Sequence, residues 1–282
     1  MQQGWTVLGL LRWLTDYFSD KGISAARHDA ECLLGAALAK DRVGLYLCYD
    51  QPLQADELDR IRPLVKRRAA REPLQYILGE TEFWSLPLQV SPAVLIPRAD
   101  TEVLVEEALA RLREQSGPVL DVGTGSGAIA IAVAHDSGQK VEALDVSEAA
   151  LELARANVAR NHLTERVLLR RGDLYRLDGG PYRLLLANPP YIARAELDGL
   201  MPEVAAHEPR LALDGGPDGL DAYRALAAQA PQRLVAGGWL LLEVGDGQAE
   251  AVAALLAAAG LSRIYQRRDY GGLVRVVGGC RS

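Results

Sequence analysis

Alternation of short apolar runs with helix-forming stretches from Gly117 onward is the strongest constraint on the fold of this chain. The apolar runs are PVLDVG, VEALDV, RVLLRR, RLLLANPP and GGWLLLEVG, and most of them are followed by a segment with helical spacing of its apolar residues. Strands that alternate with helices form a parallel sheet covered on both faces. Such sheets bind ligands at the carboxyl ends of their strands. The sequence therefore predicts an α/β fold with its site at that edge.

The first 80 residues have a different pattern, in which apolar residues recur at helical spacing. Three segments share it: 5–20, 25–39 and 56–71. Ser24 is positioned to cap the second of these helices. The following segment, EFWSLPLQV, alternates as a short hairpin does. We therefore expect a helical domain at 1–80, a β-hairpin linker at 81–95 and an α/β domain at 96–282.

Composition excludes several classes of function. The net charge of −6 and the pI of about 5.4 argue against broad, non-specific binding of nucleic acid, which needs a basic surface. The three cysteines are far apart and none of the four histidines is paired at helical spacing, so we expect reduced thiols and no metal. Without an apolar run of membrane-spanning length or a signal peptide, we expect a cytoplasmic protein with no membrane association.

A glycine-rich loop follows the first strand of the α/β part. The predicted ligand loop consists of Gly123, Thr124, Gly125, Ser126 and Gly127. It lacks the lysine of a phosphate-binding loop, and its G-x-G-x-G spacing differs from that of dinucleotide sites. Asp145 ends the second strand, where a carboxylate accepts ribose hydroxyls, and Asp173 and Leu174 follow the third, where adenine could lie. These parts resemble the S-adenosylmethionine-dependent methyltransferases. The alternative is that the glycines only form a tight turn.

The fourth strand ends in Asn188, Pro189, Pro190 and Tyr191. The Asn188 side chain offers a carbonyl acceptor, and Pro189 has a free backbone carbonyl in a turn that the prolines stiffen. Two acceptors beside an aromatic ring suit a planar group that carries an NH₂, such as an amide or an exocyclic amine. Accepting its two N–H bonds would favour positive charge on the nitrogen during methyl transfer. The alternative is a strand end rounded by prolines, with Tyr191 in the core.

Over nearly its whole length the chain resembles the N5-glutamine methyltransferases of the PrmC/HemK type. The resemblance rests on ARHDAECLL, PLQYILGETEFW, LIPRADTEVLVE and HEPRLALDGGPDGLDAYR, besides the glycine loop and NPPY. It implies a five-helix N-terminal domain for substrate recognition, a β-hairpin linker and a Rossmann-like, seven-stranded class I methyltransferase domain. The implied cofactor is S-adenosyl-L-methionine, which leaves as S-adenosyl-L-homocysteine. The implied substrate is the glutamine of the Gly-Gly-Gln motif in class 1 peptide chain release factors.

The resemblance also implies roles for individual residues. The cofactor would be held by the loop and strand-end residues already named, together with Asn188. Asn188 and Pro189 would accept hydrogen bonds from the glutamine amide, and Tyr191 would pack on it as the third catalytic residue. Pro190 and Arg98 would complete the substrate site.

Two positions depart from the family pattern. Leu174 stands where some members have tryptophan beside adenine, and Val274 stands where a polar residue is usual. For the LIPRADTE segment, the alternative to shaping the substrate mouth is that Arg98 and Asp100 pair with each other. The basic run VKRRAAR at 65–71 is interpreted as a solvated helix end, the alternative being contact with an acidic release factor or ribosomal RNA.

Two other functions compete with this interpretation. An amino methyltransferase that acts on adenine or guanine in nucleic acid would use the same NPPY turn, but the acidic balance of the chain counts against it. A non-catalytic protein that binds the adenosyl ligand and grips release factors would not need Asn188 and Tyr191 together. A monomer is expected, because the fold leaves no evident apolar stripe exposed.

Overall fold

The computed structural model describes residues 4–282, which divide into two compact units. The first unit runs to Gly79 and also includes Met201–His207, while the second contains Glu80–Leu200 and Glu208–Ser282. Residues 1–3, which belong to the predicted N-terminal domain, lie outside the described residues.

Five helices build the N-terminal part of the first unit. They are α1 (Val7–Asp20), α2 (Ala26–Leu38), α3 (Arg42–Leu47), α4 (Ala55–Ala69) and α5 (Leu74–Leu78). The three helices predicted from spacing are confirmed, and the two short ones agree with the five implied by the family resemblance. The Ser24 cap was wrong: α2 begins one residue later, with Ala25 at the N-cap position and no side-chain cap.

The core of the first unit forms along one face of α1, where Leu11, Leu14 and Phe18 are buried at spacings of three and four residues. An ion pair is buried beside this core. Arg68 of α4 donates to Asp29 of α2 at 2.7 Å, and its other nitrogen donates to Glu203 at 3.0 Å. The interpretation of 65–71 as a solvated helix end was therefore wrong for Arg68, because the packing of α2 and α4 encloses its guanidinium between two carboxylates.

The second unit is built on a hairpin and a seven-stranded sheet. The strands are β1 (Glu80–Phe83), β2 (Leu86–Gln89), β3 (Val119–Val122), β4 (Val141–Asp145), β5 (Val167–Arg171), β6 (Tyr182–Ala187), β7 (Leu234–Glu243), β8 (Ser262–Arg268) and β9 (Val274–Cys280). The large sheet has the order β5-β4-β3-β6-β7-β9-β8, in which β9 is antiparallel to both neighbours and the other pairs are parallel. The predicted α/β class with a seven-stranded sheet is confirmed.

Helices connect and cover these strands. They are α6 (Glu102–Glu114), α7 (Ala128–Ser137), α8 (Glu148–Arg160), α9 (Pro202–His207, part of the first unit), α10 (Asp221–Arg233) and α11 (Ala249–Ala258). Two apolar cores lie on the sheet, one with α6 and α7 and the other with α10 and α11. Every residue of β3 and β6 is buried, as expected for central strands covered on both faces.

The β1–β2 hairpin belongs to the second unit, and several side chains of that unit bind it, among them Asn157. Asn157 of α8 is fully buried; its Oδ1 accepts from the Gln89 N–H at 2.6 Å, and its Nδ2 donates to the Gln89 carbonyl at 3.0 Å. The same Nδ2 donates to the Ser126 carbonyl at 2.8 Å. A single asparagine thus fixes both the hairpin and the glycine-rich loop.

The sheet order brings the predicted site residues to one edge. The glycine-rich loop follows β3, Asp145 ends β4 and the NPPY turn follows β6, and these three strands lie side by side. Because parallel strands end at the same edge, the loop, the acid and the turn open toward a common region.

Candidate active site

The glycine-rich loop turns sharply at the end of β3. The N–H groups of Gly123 and Thr124 both donate to the Leu144 carbonyl at 2.9 Å, which ties the loop to β4. Gly123 and Gly125 have φ values of 75° and 55°, in the left-handed region that favours glycine. A Cβ built on either glycine would meet no atom within 4 Å, so the backbone here faces open space. This uncovered backbone with no basic residue fits an adenosyl ligand better than a phosphate.

Asp145 holds the loop from the neighbouring strand. One carboxylate oxygen accepts from the Gly125 N–H and the other from the Ser147 N–H, both at 2.9 Å. Each oxygen can accept a second hydrogen bond, so the carboxylate still has capacity for ribose hydroxyls. Ser147 caps α8 by accepting from the Ala150 N–H at 3.2 Å.

The two residues predicted to lie beside adenine follow β5. Asp173 is exposed and accepts from the Tyr175 N–H at 2.9 Å, while Leu174 is half-buried and packs against the core with α10. The Leu174 carbonyl accepts from Gln229 of α10 at 2.9 Å. Leucine therefore fills its place in the packing, and its contact with adenine remains a prediction.

A fully buried acid lies under the loop. Asp121 of β3 accepts from the Thr124 hydroxyl at 2.6 Å, and its second oxygen has no hydrogen-bond partner among residues 4–282. Burial, and to a smaller extent the nearby Asp145, raises the pKa of Asp121 to about 7 against the opposing hydrogen bonds from Thr124 and the Ala130 backbone. Folding therefore places under the loop a carboxyl group whose pKa is close to neutral pH.

The NPPY turn leaves the sheet where β6 ends. Asn188 is half-buried, and its Nδ2 donates to Thr101 Oγ1 at 3.3 Å. Tyr191 packs against the core with α10 and α11, burial raises the pKa of its phenol, and its carbonyl accepts from Gln248 at 2.8 Å. Ile192, the residue after the turn, pairs in parallel with Asp214. The turn is therefore anchored on its far side by the LDGG part of the HEPRLALDGG segment.

A buried acid that the sequence analysis did not single out stands beside the turn. Glu243 ends β7, the strand next to β6, and is 3% exposed. Burial raises the pKa of Glu243 to about 7, while hydrogen bonding from Thr101 and Asn188 and the charge of Arg275 act in the opposite direction. One oxygen of this carboxyl has no hydrogen-bond partner within the described part of the chain. The sequence does contain a signal for Glu243, because in LLLEV this charged residue ends an apolar strand.

The alternative interpretation of LIPRADTE, in which Arg98 pairs with Asp100, was wrong. Arg98 pairs instead with Glu208 at 2.5 Å, and Asp100 pairs with Arg275 at 2.8 Å. Burial raises the pKa of Glu208, and Arg98 opposes that shift. The short 3₁₀ turn at Ala99–Thr101 separates the two side chains. β9, which begins at Val274, thus contributes a cation from its second residue, Arg275.

Two features were sought in the described part of the chain and not found. Within residues 4–282, no cluster of three or more histidine, cysteine or acidic side chains is arranged to hold a metal ion. None of the helices in the described part of the chain is long and apolar enough to cross a membrane.

Comparison with known proteins identifies the family. A family model described as the PrmC N-terminal domain matches residues 9–79, and one described as the methyltransferase small domain matches residues 99–216. A release factor glutamine methyltransferase from Geobacter sulfurreducens is 48% identical over 277 residues, which cover 98% of this chain and 96% of that protein. Another, from Moorella thermoacetica, is 48% identical over 255 residues, covering 89% and 90% of the two chains.

The fold has a counterpart among solved structures. A methyltransferase from Pyrococcus furiosus aligns with a TM-score of 0.51 at 19% identity, over 70% of this chain and 89% of that chain. This likeness concerns the methyltransferase fold alone. Together with the near full-length relatives, it confirms the fold class and the family that the sequence motifs indicated. The chain belongs to the family of release factor glutamine methyltransferases.

Proposed function

We propose that this protein transfers a methyl group from S-adenosyl-L-methionine to the side-chain amide nitrogen of the glutamine in the Gly-Gly-Gln motif of class 1 peptide chain release factors. The observation that carries the proposal is the placement of the NPPY turn and the glycine-rich loop after adjacent parallel strands, β6 and β3. A cofactor on the loop and a substrate at the turn would then meet at one sheet edge.

The turn supplies the acceptors that an amide nucleophile needs. An amide nitrogen is a weak nucleophile because its lone pair is delocalised into its carbonyl. Asn188 Oδ1 and the Pro189 carbonyl accept the two N–H groups of the substrate, and their fixed dipoles stabilise the positive charge that develops on nitrogen. Pro189 and Pro190 stiffen the backbone, so little reorganisation is needed during the reaction. Tyr191 packs on the planar amide and limits its orientation.

The cofactor supplies an electrophilic methyl group when it is bound. The residues that hold it are Gly123, Thr124, Gly125, Ser126, Gly127, Asp145, Asp173, Leu174 and Asn188. Asp145 accepts the ribose hydroxyls with the lone pairs left free by Gly125 and Ser147. Arg98, held by Glu208, lies at the substrate mouth and is 41% exposed, so it can meet an approaching protein loop.

The remaining parts of the proposal concern recognition and cellular setting. The first unit recognises the release factor, the protein acts as a monomer, and it works in the cytoplasm, where translation factors are found. The net charge of −6 argues against the nucleic-acid alternative, since no broad basic surface would displace counterions.

The test is mass spectrometry of a release factor containing Gly-Gly-Gln after incubation with the protein and S-adenosylmethionine. One added methyl group on that glutamine is the expected result. Methylation of tRNA or duplex DNA instead would support the nucleic-acid alternative.

Asn188→Ala is expected to lower kcat by roughly 10²-fold, the usual effect of removing one preorganised polar group. Gln115→Ala removes an exposed carboxamide just after α6; it serves as the control and is expected to keep full activity. Unchanged methylation, or unchanged function in the cell, with Asn188→Ala would show that the turn is not catalytic and would favour the non-catalytic binding protein.

A further inference from the structure

We infer that Gln248 is a positioning residue for the methyl transfer: its side-chain amide ties the backbone of Tyr191 to the loop after β7 and so fixes the ring that packs on the substrate amide. This role rests on the proposed function, because it concerns how the NPPY turn is held during that reaction. Gln248 lies between β7 and α11, outside the NPPY motif. It therefore acts on the substrate only through Tyr191.

The backbone of the NPPY turn has few donors with which to hold itself. Pro189 and Pro190 have no N–H, so the turn is held through its carbonyl groups. Within residues 4–282, the hydrogen bond from Gln248 Nε2 to the Tyr191 carbonyl, at 2.8 Å, is the only one that a side chain makes to the backbone of residues 188–191. Holding this carbonyl fixes the peptide unit next to the Tyr191 Cα, from which the ring projects.

The two ends of the Gln248 amide have different and unambiguous partners. Oε1 accepts from the Gly245 N–H at 3.1 Å, while Nε2 donates to the Tyr191 carbonyl and, at 3.4 Å, to the Gly219 carbonyl. A backbone N–H can only donate and a backbone carbonyl can only accept, so these partners set the orientation of the amide. Residue 248 therefore needs a donor and an acceptor at the two ends of one planar group.

The side chain of Gln248 starts from a fixed backbone. Its N–H donates to the Gly245 carbonyl at 3.2 Å, and its carbonyl accepts from the Val252 N–H at 3.0 Å in the first turn of α11. The Tyr223 hydroxyl, which is fully buried, lies 3.4 Å from Oε1 and donates to the Glu243 carbonyl at 2.9 Å. The amide is thus supported by α10, α11 and the end of β7, and not by the turn alone.

Three glycines pack closely around Tyr191 and Gln248. A Cβ on Gly215 would lie 2.8 Å from the Tyr191 Cα, and one on Gly219 would lie 2.3 Å from the Tyr191 carbonyl oxygen. A Cβ on Gly245 would lie 3.0 Å from Cδ2 of the Tyr191 ring and 2.8 Å from Gln248 Oε1. Backbone therefore encloses both the tyrosine and the amide that holds it. A ring held in this way restricts the orientation of a substrate amide packed on it.

The first experiment measures methylation kinetics at pH 8 with a release factor that contains Gly-Gly-Gln. Gln248→Glu keeps the shape of the side chain but places a charged oxygen, in place of the donor, against the Tyr191 carbonyl. We expect kcat to fall roughly tenfold or more, with KM and cofactor affinity changed less than about threefold. Gln232→Glu makes the same chemical change on an exposed residue of α10 and is expected to keep wild-type kcat.

The pH profile of Gln248→Glu separates loss of the donor from general damage to the fold. When protonated, the introduced carboxyl again has a donor and an acceptor, and the Tyr191 carbonyl favours this form. The ratio of the wild-type kcat to that of Gln248→Glu is therefore expected to fall between pH 8.5 and pH 5.5, whereas Gln248→Met keeps a constant ratio. Burial raises the pKa of the neighbouring Tyr223 phenol, which stays neutral here, and Asp246 and Glu250 are exposed.

Two outcomes of these kinetics would overturn the inference. One is a wild-type kcat for Gln248→Glu at pH 8. The other is a lowered kcat whose ratio to the wild-type value does not change with pH, because the defect would then be independent of the donor.

The second experiment does not depend on activity. The backbone carbonyl carbons of tyrosine are labelled with carbon-13, and the Tyr191 signal is assigned with Tyr191→Phe. In Gln248→Met this signal is expected to move upfield, because a carbonyl that loses its donor is less polarised. An unchanged signal would refute the inference even in an enzyme with altered kinetics. Conversely, a shifted signal in a protein whose wild type methylates no release factor would retain the contact with Tyr191 and reject the proposed function.

Discussion

Replacement of Asp121 by asparagine is expected to change how the stability of the protein depends on pH. Burial holds the pKa of Asp121 at about 7 in the folded protein, against 3.8 for the group in its unperturbed state. Between these values the folded chain keeps a proton that the unfolded chain releases, so stability falls as the pH rises through this range. A difference of about 3 pH units, at about 1.4 kcal/mol each, amounts to about 4 kcal/mol. Asparagine has no charge to bury and still accepts from Thr124.

The assay compares urea unfolding of the two proteins without cofactor, followed by circular dichroism from pH 4 to pH 8. The free energy of unfolding of Asp121→Asn minus that of the parent is expected to grow by about 4 kcal/mol over this range. Subtracting the parent's free energy of unfolding cancels the pH-dependent contributions of the other titrating groups, including Glu243. Glu250→Gln, on the surface, is the control and is expected to show a flat difference. A difference for Asp121→Asn that stays constant within about 1 kcal/mol would refute the reasoning, because it would mean that burial does not retain the proton.

Two further substitutions each test one structural feature. The first removes the buried ion pair of the first unit, and the second crowds the NPPY turn of the second unit. Arg68→Met is expected to lower the free energy of unfolding by about 3–5 kcal/mol, measured by urea unfolding, because it leaves the buried Asp29 unpaired. The double variant with Asp29→Leu should recover most of this loss. An equal loss in the double variant would contradict the ion-pair argument. Gly219→Ala is expected to lower kcat roughly 10²-fold, since the residue has φ of 75° and an added Cβ would lie 2.3 Å from the Tyr191 carbonyl; wild-type kcat would show that the turn tolerates this displacement.

Strands that lie at the centre of the sheet could be predicted from the sequence because both of their faces are buried. β3 and β6 are continuous apolar runs for that reason, and the polar residues that end them are conspicuous. β8 and β9 gave no such signal. β8 has the sequence SRIYQRR and lies largely exposed at the edge of the sheet, and β9 contains two glycines. Only the family resemblance, which implies seven strands, predicted them, because their hydrophobic periodicity is weak.

The candidate site divides in the same way between local and distant features. The glycine-rich loop and the NPPY turn are contiguous motifs, so their chemistry can be inferred from residue types and spacing. Thr101, Glu243 and Arg275 come from three separate segments, and only the sheet order brings them to the edge that carries the turn. Pairing Arg98 with Asp100 failed for a related reason. Closeness in sequence suggested a partner, but the 3₁₀ turn directs the two side chains to different ones.

The rigidity of the NPPY turn comes from its neighbours as much as from its prolines. Proline has no N–H to donate, so the turn cannot be held by hydrogen bonds of its own at those positions. Instead, Gln248 donates to the Tyr191 carbonyl at 2.8 Å, and Ile192 exchanges hydrogen bonds with Leu213 and Gly215 at 3.0 and 2.9 Å. Dipoles stabilise developing charge only if they are already fixed when the charge appears. In the proposed reaction, the LDGGPDGL segment would therefore act through the backbone of the turn, without needing to touch the substrate.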